Sequence, residues 1–183
     1  MHVVFLHGPP AAGKHTIGQK LSELTGLPLF HNHLAVDTAK SLFAFGTPGF
    51  NRMRATLWRA AFAEAAVAGQ SFIFTFNPEA TVDPGLIEDL CQIVRERGGT
   101  VYFIELKCSP AAIAQRIGNE SRKAFGKLTD PELYKALDAK GAFAFPPLPE
   151  ALLVVNTDEL SADSAAERIA QAIAGAGSVR AGT

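Results

Sequence analysis

Close to the start of the chain the apolar run Val3 to Leu6 stops at Gly8-Pro9-Pro10-Ala11-Ala12-Gly13-Lys14. An amphipathic stretch follows at once, with Ile17, Leu21 and Leu24 at helical spacing and Gly26 as its stop. The seven residues read G-x-x-x-x-G-K between a predicted strand and a predicted helix, the context in which such a loop holds phosphates. Its glycines let the backbone curl so that successive N–H groups face inward. The helix N-terminus adds partial positive charge, and Lys14 extends an ammonium toward the terminal phosphates. Gly8, Pro9, Pro10, Ala11, Ala12, Gly13, Lys14, His15 and Thr16 are therefore the expected polyphosphate-binding segment. A dinucleotide site is excluded, because G-x-G-x-x-G is absent and no acid closes the second strand.

Two departures bear on metal binding. His15 occupies the place after the lysine where a Ser or Thr hydroxyl normally meets Mg²⁺, and the hydroxyl comes one residue later, at Thr16. The third strand ends Phe74-Thr75-Phe76-Asn77 and carries no aspartate. Mg²⁺ is thus expected from ATP, with Thr16 as the metal-ligand candidate, and not from a visible ligand set.

Further strands are predicted at Leu27 to Phe30, Phe72 to Phe76, Thr100 to Leu106 and Leu152 to Val155. Helices are predicted at Leu34 to Phe45, Asn51 to Ala68, Pro84 to Arg97, Ala111 to Ile117, Asp130 to Lys140 and Ser161 to Ala174. Gly46-Thr47-Pro48-Gly49 reads as the end of one helix, and Ser109-Pro110 as a cap with proline at the first helical position. The polar, basic stretch from Gly118 to Lys127 reads as a mobile segment and 175–183 as a disordered tail. Five short apolar strands alternating with helices imply one three-layer α/β domain over 1–174, its parallel sheet covered on both faces. Ligands of such sheets bind outside the carboxyl ends of the strands, where Gly8 begins.

Composition narrows the function. The chain has 183 residues, 17 Lys plus Arg against 18 Asp plus Glu, and a net charge of −1, which gives no overall positive field for nucleic acid. No segment approaches the run of about 18 apolar residues that a membrane span needs, and no signal peptide is visible, so a cytoplasmic protein is expected. The two cysteines, Cys91 and Cys108, read as reduced thiols. All five histidines, His2, His7, His15, His31 and His33, fall in the first 33 residues.

With its phosphate loop, Leu29-Phe30-His31-Asn32-His33, a basic stretch from Arg116 to Lys127 and a closing Val154-Val155-Asn156-Thr157, nearly the whole chain resembles the small P-loop kinases. That group includes shikimate, gluconate and adenylate kinases and the chloramphenicol phosphotransferases. The G-P-P-A-x-G-K-x-T and L-F-H-N-H patterns also resemble uncharacterised AAA-type ATP-binding proteins. The resemblance implies the P-loop NTPase fold with a five-stranded parallel sheet ordered 2-3-1-4-5. It also implies a small lid at about 118–128 whose arginines close over the nucleotide, Arg116 near the adenine and Arg122 poised for phosphate. A guanidinium suits both tasks, since it stacks on a base and binds phosphate bidentately.

Where related sugar-acid kinases carry Asp-x-Asp after the second strand, this chain has His31-Asn32-His33, so His33 or Asp37 is the candidate base that orients the acceptor. His31 and His33 would share a face if the strand continued, as a metal pair or as structural histidines. Arg52 and Arg59, seven residues apart on the helix that also carries Arg54, are candidates to grip an anionic acceptor. Phe43, Phe45, Phe50, Phe143 and Phe145 are candidates to line an apolar acceptor pocket. The expected protein is a kinase, monomeric or homodimeric, that moves the γ-phosphoryl group of ATP to a small-molecule acceptor, with Lys14 and Arg122 offsetting the transferred charge. Phosphorylation of a nucleoside monophosphate, or nucleotide binding with weak or no catalysis, are the alternatives.

Overall fold

The computed structural model describes residues 1–118, 128–143 and 146–181. Its sheet has five parallel strands in the order β2-β3-β1-β4-β5. They are β1 (His2–His7), β2 (Leu29–His31), β3 (Phe72–Phe76), β4 (Thr100–Lys107) and β5 (Leu153–Asn156). β1 lies in the middle, with His7 in register with Phe76 on one side and Glu105 on the other. Such a strand must be apolar on both faces, and Val3, Val4, Phe5 and Leu6 are all 0% exposed.

Alternation along the strands sends side chains to two cores. Val3 and Phe5 join Phe72, Phe74, Phe76 and Phe103 against Trp58 and Phe62 of α3 (Pro48–Ala68) and Leu86, Leu90 and Val94 of α4 (Pro84–Arg95). Val4 and Leu6 join Ile73, Ile104, Leu106 and Val155 on the opposite face. There they meet Ile17 and Leu21 of α1 (Lys14–Thr25) and Ala165, Ile169 and Ile173 of the last helix. Each fully buried Leu, Ile or Phe contributes about 1.5–3 kcal/mol relative to exposure, which is why the short central strand holds. A smaller cluster of Ile113, Ile117 and Tyr134 joins α5 (Pro110–Ile117) to α6 (Pro131–Asp138), and Tyr134 stacks on Phe143 with ring centroids 5.4 Å apart.

The structure corrects three boundaries. α2 runs from His33 to Lys40 and stops well before Phe45. Thr47-Pro48 is a start signal for α3 and not the end of α2: Thr47 is extended, its Oγ1 accepts from the Phe50 N–H, and Pro48 sits at the first helical position. α7 (Ala162–Ala181) continues past Ala174 through the stretch expected to be a disordered tail, because alanines at 174 and 176 offset the two glycines among them. Residues 182 and 183 lie outside the described residues. Among the described residues no helix is long and apolar enough to cross a membrane.

Candidate functional site

The phosphate loop leaves β1 at the carboxyl edge of the sheet and enters α1. Gly8 has φ +149°, and a Cβ placed on it would stand 2.3 Å from the carbonyl oxygen of Leu106, so the loop passes too close to β4 for any side chain. Gly13 (φ +87°) and Ala11 (φ +63°) are left-handed as well. For alanine that conformation costs about 1–2 kcal/mol, strain that the surrounding fold holds in place. The Ala12 N–H donates to Pro9 O at 3.3 Å, which tightens the curl.

Lys14 reaches back across the loop. Its Nζ donates to Gly8 O at 2.7 Å, to Pro9 O at 2.6 Å and to Asn77 Oδ1 at 3.2 Å. Asn77 therefore stands at the end of β3, in the place where an aspartate would be expected, and it anchors the lysine through a neutral oxygen. Residue-type reasoning missed it, although the Asn-Pro that ends a buried strand was a signal.

Three of the early histidines gather beside this loop. His15 and His31 meet edge to face with ring centroids 4.9 Å apart, and His31 lies 6.3 Å from His33. The strand does not continue to His33. Asn32 turns the chain into α2, its N–H donating to Thr75 Oγ1 at 3.1 Å, so the alternation that would pair His31 with His33 on one strand face is broken. No group of three metal-ligating side chains forms among the described residues. Thr16 is exposed, and Glu79, the carboxylate soon after β3, is ion-paired with buried Arg54. Among the described residues this donor set does not fit a protein-held Mg²⁺.

On the β4–β5 side, Arg116 is fixed by Thr157, donating to Oγ1 at 3.0 Å and to the carbonyl oxygen at 2.8 Å, with Asp158 Oδ1 at 3.6 Å. Asp158 in turn accepts from the Ser109 N–H, and the Ser109 hydroxyl first and this N–H second hold its carboxyl below the usual carboxylate range. Burial pushes the Cys108 thiol up, opposed by the charges of Arg116 and Lys14. Lys14 and Arg116 are thus brought to one edge of the sheet. Arg122 and the rest of 119–127, with Phe145, lie outside the described residues.

The other acceptor candidates separate. Arg52 is exposed, while Arg59 turns outward to α4, where its Nη2 stands 2.6 Å from Asp89 Oδ2. Asp37 is exposed on α2, one turn beyond His33. Phe50 is 0% exposed and belongs to the protein interior, whereas Phe43 and Phe45 are exposed. Arg54 is the buried arginine, 1% exposed between the Phe50 and Trp58 rings, each 5.1 Å from its guanidinium carbon. It pairs with Glu79 and donates to Thr81 O at 3.0 Å.

His7 is the second residue that residue-type reasoning passed over. It is 8% exposed, packed near Phe5 and Phe103, and its Nε2 is buried with no hydrogen-bond partner among the described residues. Burial first, and then the Lys14 charge, push its pKa down to about 4, so the ring is neutral at physiological pH.

No protein-family model matches the sequence, and no curated protein matches it. Solved structures do. A candidate kinase from Chloroflexus aurantiacus superposes with a TM-score of 0.67 at 23% identity, over 93% of this chain and 97% of that one. The shikimate kinase of Acinetobacter baumannii, solved with shikimate, gives 0.60 at 17% over 94% and 93%. The APS kinase of Mycobacterium tuberculosis, solved with AMPPNP and APS, gives 0.62 at 12% over 94% and 96%. The chain has the fold of the small P-loop kinases, with their parallel sheet in the order 2-3-1-4-5.

Proposed function

We propose that the protein transfers the γ-phosphoryl group of ATP to a small-molecule alcohol. The observation that carries this reading is the loop itself: left-handed at Ala11 and Gly13, pressed against β4 at Gly8, and crossed by Lys14. Its backbone N–H groups and the α1 N-terminus hold the phosphates, and Lys14 leaves its own carbonyls for the β- and γ-oxygens. Arg116, held at the carboxyl edge by Thr157, is the cation proposed for the base side of the nucleotide, and Arg122 is the second cation, proposed for the transferred group. The acceptor oxygen bonds to the γ-phosphorus while the bond to the ADP oxygen breaks and ADP keeps the electron pair. The acceptor's proton passes to His33, with Asp37 the exposed alternative one helical turn on. Most of the rate comes from positioning and electrostatics, so the base is a modest contributor.

Because the donor set does not fit a protein-held Mg²⁺, no step is assigned to the metal. The same feature favours a second reading, nucleotide binding with little transfer. Isothermal titration of ATP into wild type and Lys14→Ala, followed by transfer assays with labelled ATP, separates them. Lys14-dependent binding with label appearing on an alcohol is expected. Binding without transfer to any acceptor supports the second reading, and binding unchanged in Lys14→Ala overturns both.

A further inference from the structure

One carboxylate reaches both ends of α5. Ser109, the N-cap of that helix, accepts from the Ala112 N–H through Oγ and donates its own N–H to Asp158 Oδ2 at 2.7 Å. In the last turn of the same helix, Arg116 Nη2 stands 3.6 Å from the other oxygen, Asp158 Oδ1. Asp158 follows Thr157 at the exit of β5, and Thr157 is fixed in turn. Its N–H and its hydroxyl both donate to Lys107 O at the end of β4, at 2.8 and 3.1 Å. Another face of α5 is apolar: Ile113 and Ile117, four residues apart, are buried, and Ala11 of the phosphate loop packs against their cluster. The helix is thereby seated on both the phosphate loop and the β5 exit.

These bonds set how Arg116 is presented. Its Nη1 donates to Thr157 Oγ1 at 3.0 Å and its Nη2 to Thr157 O at 2.8 Å. Guanidinium N–H groups lie in the plane of the group, so such bonds do not occupy its flat faces, which suit stacking on an aromatic base. The side chain is 35% exposed, enough for a flat ring to reach it. Its place also fits the direction of a bound nucleotide. Lys14, the residue for the terminal phosphates, is tied to Asn77 at the end of β3. Terminal phosphates on the β3 side send the nucleoside the other way, over the exits of β4 and β5, where Arg116 stands.

We propose that Asp158 is a positioning residue for nucleoside recognition: by clamping both ends of α5 to the β5 exit, it holds the Arg116 guanidinium in one orientation for the base of the bound nucleotide. The proposal rests on the nucleotide-binding half of the kinase reading and adds how the base end is fixed. An arginine without the clamp loses its rotamer freedom only at the moment of binding, so the clamp raises affinity by preorganisation.

Isothermal titration of the full chain tests this with two probes, a non-hydrolysable ATP analogue, which carries a base, and inorganic tripolyphosphate, which carries none. Asp158→Ala is expected to weaken the analogue by about threefold or more, the loss of one preordered side chain, and to leave tripolyphosphate within about 1.5-fold of wild type. Asp158→Asn, which keeps an acceptor for the Ser109 N–H and so protects the fold of α5, is expected to do the same. Arg116→Ala is expected to weaken the analogue by about tenfold, and adding Asp158→Ala to it to change nothing further, because Asp158 acts through that arginine. Equal weakening of both probes, analogue affinity unchanged in the Asp158 variants, or a double variant whose losses multiply each overturn the proposal. If tripolyphosphate does not bind wild type, the double variant decides by itself. Failure of the analogue to bind wild type, or binding undiminished in Lys14→Ala, instead overturns the kinase reading and the proposal with it.

Discussion

His7 shows how much one side chain carries at the mouth of this sheet. Its pKa of about 4 lies below the ordinary 6.5, so between those values the unfolded chain binds more protons than the folded one. The stability this contributes is complete above about pH 6.5 and is lost as pH falls toward 4. Denaturant melts are expected to show about 2 kcal/mol less stability at pH 5 than at pH 7 from this group, and His7→Gln removes that part of the slope. A residual slope from His2, lowered by burial and by the N-terminal charge, remains. At Gly8 the effect is steric. With φ +149° and only 2.3 Å between Leu106 O and the point an added methyl would occupy, Gly8→Ala is expected to cost about 2–4 kcal/mol and to appear as a lower urea midpoint. The two residues differ in how far they could be read from sequence. Gly8 belongs to a local pattern whose geometry is the same wherever it occurs. His7 takes its character from Phe5, Phe103 and Lys14, partners that only the sheet register and the fold of the loop bring to it.

At the scale of elements, α3 was readable as a helix and misread as a surface. Phe50, Arg54, Trp58 and Phe62 recur every four residues and all four are buried, so an arginine in the apolar stripe was the signal of a buried cation. Pairing Arg52 with Arg59 by their spacing selected the opposite, exposed side. Burial pulls the Arg54 pKa down while Glu79 opposes that shift, and the two cation–aromatic contacts and Thr81 O complete its solvation. Removing one partner leaves the other charge stranded: Glu79→Ala is expected to cost about 3–5 kcal/mol in denaturant melts. The double change Arg54→Leu with Glu79→Leu is expected to cost much less, because no charge remains buried. If the single and double variants lose stability equally, the pair is not what holds α3 to the β3 exit. The turn at 46–49 was misread because Gly-Thr-Pro-Gly serves as either a stop or a start, and the N-cap bond from Phe50 N–H to Thr47 Oγ1 decides it.

For the whole molecule, strand order was an expectation that the resemblance to the small P-loop kinases implied, and the sheet has that order. Pattern by itself gave short apolar strands that must be covered on both faces by right-handed crossovers, which is a parallel sheet without an order. The chamber at the carboxyl ends of β1 and β4 was not legible in the same way, because it is assembled from β1, β4, β5 and two loops far apart in sequence, without a motif in any of them. Near-neutral net charge likewise concealed the arrangement, with Lys14 and Arg116 at one edge and carboxylates in the adjoining chamber. Under the proposed function the folded loop binds phosphates and the unfolded chain does not, so nucleotide is expected to stabilise the entire domain through mass action. At ATP a hundredfold above its dissociation constant the gain is about 2.7 kcal/mol, which for a domain of this length raises Tm by about 5–10 °C. Thermal melts with and without ATP are expected to show that rise in wild type and to lose it in Lys14→Ala. A rise that survives in Lys14→Ala would place the nucleotide elsewhere, since a ligand stabilises a fold only through the site it occupies.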